Sequence, residues 1–173
     1  MSRLRRLVLS DRSFFVTCRV LPCRRSLDER EFQCLARVLR ERREKYHFLL
    51  TAWVFLPDHW HAILFPRSPV TVSLVMESIK VGSTLRINGG RKESGLLWQP
   101  RFFDRALRTV KEYHEKVKYI HLNPVKAGLA TRPEEWPWSS VHDCTGSTNS
   151  APVTPSGLGF DRVVLPADER TRI

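Results

Sequence analysis

The sequence predicts an α+β fold, an antiparallel sheet with helices packed on it. Three observations carry that reading. Apolar, β-branched and aromatic runs occur at residues 13–21, 48–56 and 59–65, and only Pro57-Asp58 separates the last two, as in a tight hairpin. Between and after these runs, apolar residues recur at helical spacing. Taken in order, the segments read strand, helix, strand, strand, helix, strand-like segment, helix. That order fits a ferredoxin-like (RRM-like) split βαββαβ sheet.

The first strand, Ser13 to Leu21, is rich in Phe, Val and Thr, and Pro22 to Arg25 makes the turn after it. Ser26-x-x-Glu29 reads as a capping box. Phe32, Leu35, Ala36 and Leu39 then trace the inner side of a helix to about Tyr46, whose outer side carries Arg37, Arg40, Arg42, Arg43 and Lys45. In the hairpin, a period of two puts His59, His61, Ile63 and Phe65 on one face and Trp60, Ala62 and Leu64 on the other. A second helix is expected over Val70 to Ile87, with Leu74, Val75, Ile79 and Leu85 inward and Asn88-Gly89-Gly90 as its stop. Leu96 to Phe103 reads as a further extended segment. Thr109-x-x-Glu112 caps a third helix, along which Val110, Tyr113, Val117 and Ile120 form the apolar seam. Pro124 predicts an end near Asn123, and Gly128 suits a left-handed turn soon after.

With 173 residues the chain fits one ordinary domain, and 42% hydrophobic content supplies a core. The expected boundaries are a folded domain over 1–142 and a flexible linker and C-terminal tail over 143–173, where Gly, Ser, Thr, Asn and Pro accumulate. A net charge of +11 points to a polyanion, nucleic acid before anionic membrane. The longest apolar stretch, Phe48 to Leu56, is far short of the roughly 20 residues of a spanning helix. The apolar part of the N-terminus is too short for a secretory signal, so a cytoplasmic location is expected. Cys18, Cys23, Cys34 and Cys144 form no C-x-x-C pair; reduced thiols are expected, with Cys18 and Cys34 in the core. No G-x-x-x-x-G-K-[ST] phosphate loop occurs.

Two features could carry chemistry. His59 and His61 point the same way on a strand and could hold one divalent metal through neutral imidazole nitrogens, or simply be two histidines on a half-exposed face. An H-x-H-x-H histidine triad is excluded, because the third position is Ile63. Tyr119 and Asn123 are four apart on the third helix and share a side, off the apolar seam. A metal at His59, His61 and Asn123 would stand within a side chain of Tyr119. Such a phenol, with an ordinary pKa of about 10, needs electrophilic help to attack phosphorus. Read alone, Tyr119 could equally be an amphipathic surface residue and Asn123 a helix-ending cap.

The run Trp53-Val54-Phe55-Leu56-Pro57-Asp58-His59-Trp60-His61-Ala62-Ile63-Leu64 resembles the His-hydrophobic-His (HUH) motif of single-tyrosine transposases. Tyr119-Ile120-His121-Leu122-Asn123-Pro124-Val125-Lys126-Ala127-Gly128-Leu129 resembles the tyrosine-bearing helix of the REP-associated tyrosine transposases. Trp98-Gln99, Phe103 to Arg108 and Trp136 to Ser140 match the same subgroup, so the resemblance spans about residues 13–142. Position 58 departs from it: Asp58 stands where the subgroup usually has Asn, either as a carboxylate that tunes the metal site or, the favoured reading, as a turn residue.

The resemblance implies an HUH-endonuclease-type sheet, with His59, His61 and Asn123 as ligands of Mg²⁺ or Mn²⁺ and Tyr119 as nucleophile. It implies cleavage and rejoining of single-stranded DNA through a 5′-phosphotyrosine link, on hairpin-forming targets. A monomer is expected, although the superfamily includes dimers that exchange the tyrosine helix. Arg37, Arg40, Arg42, Arg43, Lys80, Arg86, Arg101, Arg105, Arg108 and Lys111 are the candidates for holding DNA phosphates. Trp98, Trp136 and Trp138 are read as core or docking residues before base-stacking ones. The competing reading is a DNA- or RNA-binding module on the same fold that has lost catalysis.

Overall fold

The structure is a computed structural model, and it describes residues 11–144 and 158–161. Its elements are β1 (Phe14–Arg19), α1 (Glu29–Tyr46), β2 (Leu49–Phe55), β3 (His59–Phe65), α2 (Val72–Arg91), β4 (Phe103–Ala106) and α3 (Val110–Lys126). A 3₁₀ turn, Pro133–Glu135, and a one-turn helix, α4 (Val141–Cys144), follow. The strands form one antiparallel sheet in the order β2-β3-β1-β4, the split βαββαβ arrangement expected. The fourth strand starts later than its sequence suggests. Within Leu96–Phe103 only Trp98 bridges to Val20, and the continuous ladder runs from Phe103.

Alternation along the strands divides the molecule into two layers. Val16, Cys18, Trp53, Phe55, Trp60, Ala62 and Leu64 face α1 and α2 and form the larger core. Phe15, Ala52, Val54 and Ile63 face the other way and meet Leu107 and Ile120 in a smaller core under α3. Each large side chain fully buried in the first layer contributes roughly 1.5–3 kcal/mol. Cys18 is buried there as expected, and burial pushes its thiol up to about 12, whereas Cys34 is only half-buried. Trp98 and Trp138 are core residues, and Trp136 is half-buried against them.

Four helix details differ from expectation, each for a local reason. The N-cap of α1 is Asp28, not Ser26: its carboxylate accepts from the Glu31 amide, while the Glu31 carboxylate accepts from the Asp28 amide. Glu31 is itself fixed by Arg25 and Arg91, which ties the start of α1 to the end of α2. Second, α2 runs through Gly89 and Gly90 to Arg91 and stops where Lys92 turns left-handed, its amide bonding the Asn88 and Gly89 carbonyls. Third, Leu74 and Leu85 face solvent. The inner side of α2 is Val72, Val75, Met76, Ile79, Gly82, Ser83 and Ile87, with Gly82 closely packed under Val38 and Arg42 of α1. Fourth, α3 does not end at Asn123. Pro124 forfeits one amide donor in the last turn, but Ala127 still donates to Asn123 and Leu129 to Pro124. Gly128 then takes the left-handed conformation expected of it.

The outer edge of β2 is covered by chain from the C-terminal third. The Phe55 amide donates to the Trp138 carbonyl, the Ser140 amide to Trp53, and the Trp53 amide to the Ser140 hydroxyl. Further along, Asp161 exchanges backbone and side-chain bonds with Leu50, and Leu158 is buried in the core. These four residues of the expected linker and tail therefore pack on the body. Asp143 and Cys144 end α4, and the remainder of that stretch lies outside the described residues. Among the described residues, no helix is long and apolar enough to cross a membrane.

Candidate active site

The hairpin and α3 bring His59, His61 and Tyr119 together on the face under α3. His61 is buried beneath Tyr119, with ring centres 5.4 Å apart and nearly perpendicular planes. His59 sits one pleat further along β3, and the two Nε2 atoms converge to 3.1 Å. Each ring is oriented through its other nitrogen. The Nδ1–H of His59 donates to the Asp58 carboxylate at 2.7 Å, and Nδ1 of His61 bonds the Thr17 hydroxyl at 2.8 Å. Asp58 is a turn residue, as read, but it also fixes its neighbour, and it pairs with Arg19 besides. Burial first, then the charges of His59, Arg19 and Lys116, hold His61 down to about 3, against a bond to the Val16 backbone that favours protonation. The ring is therefore neutral at ordinary pH, the form in which imidazole binds metals.

This geometry fits a divalent cation. Ligands about 2.1 Å from a metal at a right angle to each other stand about 3 Å apart. The two Nε2 atoms have that separation, and with the ring proton on each Nδ1 both would present lone pairs to a cation. Asn123 is buried one turn beyond Tyr119 on α3 and offers an amide oxygen from the same helix side. Among the described residues no cluster of three His, Cys, Asp or Glu side chains that could hold a metal stands together.

Two lysines that sequence reasoning missed flank the tyrosine. Lys116 Nζ lies 5.2 Å from the Tyr119 ring centre and 4.8 Å from that of Phe15; Lys126 Nζ lies 5.1 Å from the Tyr119 ring. Lys116, Tyr119, Asn123 and Lys126 are spaced three, four and three apart, a polar stripe parallel to the apolar seam. That spacing was legible. It was cut short by the expected helix end at Asn123, which excluded Lys126.

The ten basic candidates divide between the layers. Arg37, Arg40, Arg42 and Arg43 on α1, and Lys80 and Arg86 on α2, lie on the opposite side of the sheet from Tyr119. Several of these are engaged within the fold. Arg43 binds Leu158 and Asp161, Arg86 pairs with Glu41, and Lys80 donates to the Gln99 and Pro100 carbonyls. Arg42 packs against Gly82 in the helix crossing. Arg101, Arg105, Arg108 and Lys111 are exposed around β4 and the start of α3, and the ladder register puts Arg105 on the tyrosine's side.

Comparison with known proteins decides the family. The profile described as "Transposase IS200 like" matches residues 19–123, more than half of the chain. The chain belongs to this family. Within it, the REP-associated tyrosine transposase of Escherichia coli is 33% identical over 143 residues, 82% of this chain and 84% of that one. A putative REP-associated tyrosine transposase of Haemophilus influenzae is 32% identical over 110 residues, 57% of this chain and 62% of that one. A solved REP-associated tyrosine transposase bound to a REP hairpin superposes with a TM-score of 0.75 at 28% identity, covering 95% of this chain and all of that one. The chain thus groups with the REP-associated tyrosine transposases, enzymes that cleave single-stranded DNA and transfer strands, and is built on the α+β sheet described above.

Proposed function

We propose that this transposase acts on hairpin-forming DNA of the REP type, with Tyr119 as nucleophile and a divalent metal, Mg²⁺ or Mn²⁺, held by His59, His61 and Asn123. One observation carries the reading: Tyr119 stacks edge-on over His61, whose Nε2 meets that of His59 at 3.1 Å. The hairpin substrate is supported by the solved relative that carries one. When bound, the metal supplies Lewis-acid polarisation of a phosphate oxygen. Two imidazole donors suit Mn²⁺ better than Mg²⁺, which prefers an all-oxygen shell.

The residues of the chain divide the remaining work. In the cleavage step the Tyr119 phenol oxygen bonds to phosphorus and its proton passes to water. The bond from phosphorus to the 3′-oxygen breaks, and that oxygen leaves as a 3′-hydroxyl after taking up a proton. The 5′-phosphate stays on the tyrosine until another 3′-hydroxyl attacks and restores the phenol. One phosphodiester replaces another, so no triphosphate is needed. Lys116 and Lys126 flank the ring on its own helix and supply positive charge for the phosphate under attack. His61 is kept neutral and oriented by Thr17, and His59 is oriented by Asp58.

The test is incubation with Mn²⁺ and a labelled hairpin oligonucleotide from the DNA flanking the gene, resolved on a denaturing gel. A protein-linked band that vanishes in Tyr119→Phe and with chelator is expected. Binding without any covalent band, across several flanking hairpins, would replace this reading with that of a retired binding module.

A further inference from the structure

We propose that Phe103 is a stacking platform for an unpaired base of the DNA strand entering the Tyr119 site. The inference rests on Tyr119 and the histidines being the reacting centre, and it adds a contact outside their immediate surroundings.

The ladder register fixes where Phe103 points. Thr17 of β1 pairs with His61 on β3 and with Phe103 on β4, so His61, Thr17 and Phe103 form one row across three strands. Residues in such a row project to the same face. The next row is Ile63, Phe15 and Arg105. α3 covers the β2 and β3 side of this face, and β4 is the edge of the sheet. Phe103 therefore lies on the uncovered continuation of the catalytic face.

Its environment is that of a binding residue. Phe103 is 57% exposed and belongs to neither core. It is nonetheless anchored. It meets Phe15 edge-on at 6.2 Å, and Phe15 in turn stacks on His61 at 5.3 Å and meets Tyr119 at 5.8 Å. One aromatic ring separates it from the nucleophile. Two cations stand nearby: Lys116 sits over Phe15, and Arg105 lies beside Phe103 on the same strand face, held by Glu112. An exposed ring flanked by cations suits one ligand class above others. Its face accepts a base, and the cations meet the phosphates on either side. The net charge of +11 and the family's DNA chemistry give that occupant preference over a protein.

The test needs no cleavage. The full chain is titrated with a fluorescein-labelled thymidylate strand of about 12 nucleotides, within the site sizes of single-strand binders. It is then titrated with an abasic strand of the same length, which keeps the phosphates and removes the bases. The wild-type protein is expected to prefer the thymidylate strand by about 5- to 150-fold, the range of one aromatic stack. Phe103→Ala should lose that preference while binding the abasic strand as before, and Phe103→Trp should keep it. Unchanged preference in Phe103→Ala, or none in the wild type, would overturn the proposal. So would self-association of the wild type in sedimentation that Phe103→Ala abolishes, since the ring would then serve a second copy. A wild type that binds as expected but forms no covalent band with flanking hairpins would count against the Tyr119 reading and leave this one standing.

Discussion

Trp60 and His61 are neighbours in the chain and serve opposite halves of the molecule. Trp60 points into the layer closed by α1 and α2, where nearly every contact is apolar. His61 points into the layer that α3 covers only in part, among Thr17, Phe15, His59, Tyr119 and the lysines. The first face is filled to exclude water. The second gathers polar groups and leaves a phenylalanine largely uncovered, which provides a place for a substrate. The comparison teaches that one strand can be read twice, as scaffold on its even positions and as chemistry on its odd ones.

Three tests would break or sharpen that contrast. The largest effect is expected from the pair itself. Trp60→Ala should destabilise the fold by about 3–5 kcal/mol, the usual cost of emptying an aromatic site in a core. His61→Ala should leave a folded protein and abolish the covalent band. Urea unfolding and the gel assay on both variants check this, and similar stability losses for the two would erase the distinction. Next come Lys116→Ala and Lys126→Ala. Each should weaken DNA binding and lower the slope of log affinity against log salt by about one, the signature of a lost phosphate contact. Equal slopes in variants and wild type would remove these lysines from the site.

The third test is a drift of stability with pH. Burial holds His61 down to about 3. Burial, helped by His142 and opposed by Glu134, holds His121 down to about 4. Unfolded, both rings take a proton near pH 6.5. Below that pH the unfolded chain binds more protons than the folded one, so stability falls as the pH drops toward 4; above it the two histidines contribute no slope. Urea midpoints of the chelator-treated protein between pH 7 and pH 4 would show the decline, and His121→Gln should flatten part of it.

What the sequence revealed follows the same division. The strands were legible because period-two alternation and buried apolar residues coincide there. The inner side of α2 was not, because Gly82 and Ser83 make the close approach to α1 and carry no hydrophobic signal, while Leu74 and Leu85 carry the signal and face water. Asp28 outcompeted Ser26 as a cap because Glu31, its partner, is clamped by two arginines, a tertiary fact. His59, His61, Tyr119 and Asn123 were legible as a set from spacing and resemblance. Lys126 was lost with the expected stop at Pro124. The basic face of α1 drew attention through its charge count, and a count does not say which side of a sheet a helix occupies.

The two outer strands meet very different neighbours. Along β2, the carbonyl of Trp138, the backbone and hydroxyl of Ser140 and both ends of Asp161 occupy hydrogen-bonding positions that would otherwise face outward. A sheet rim sealed in this way offers no template on which another chain could add a strand. Trp138, Ser140 and Asp161 therefore close an edge that would otherwise be open to strand addition. Shortening the protein before Leu158 would bare the Leu50 amide and leave Arg43 without its carboxylate, so such a truncation alters colloidal behaviour before it says anything about strand transfer.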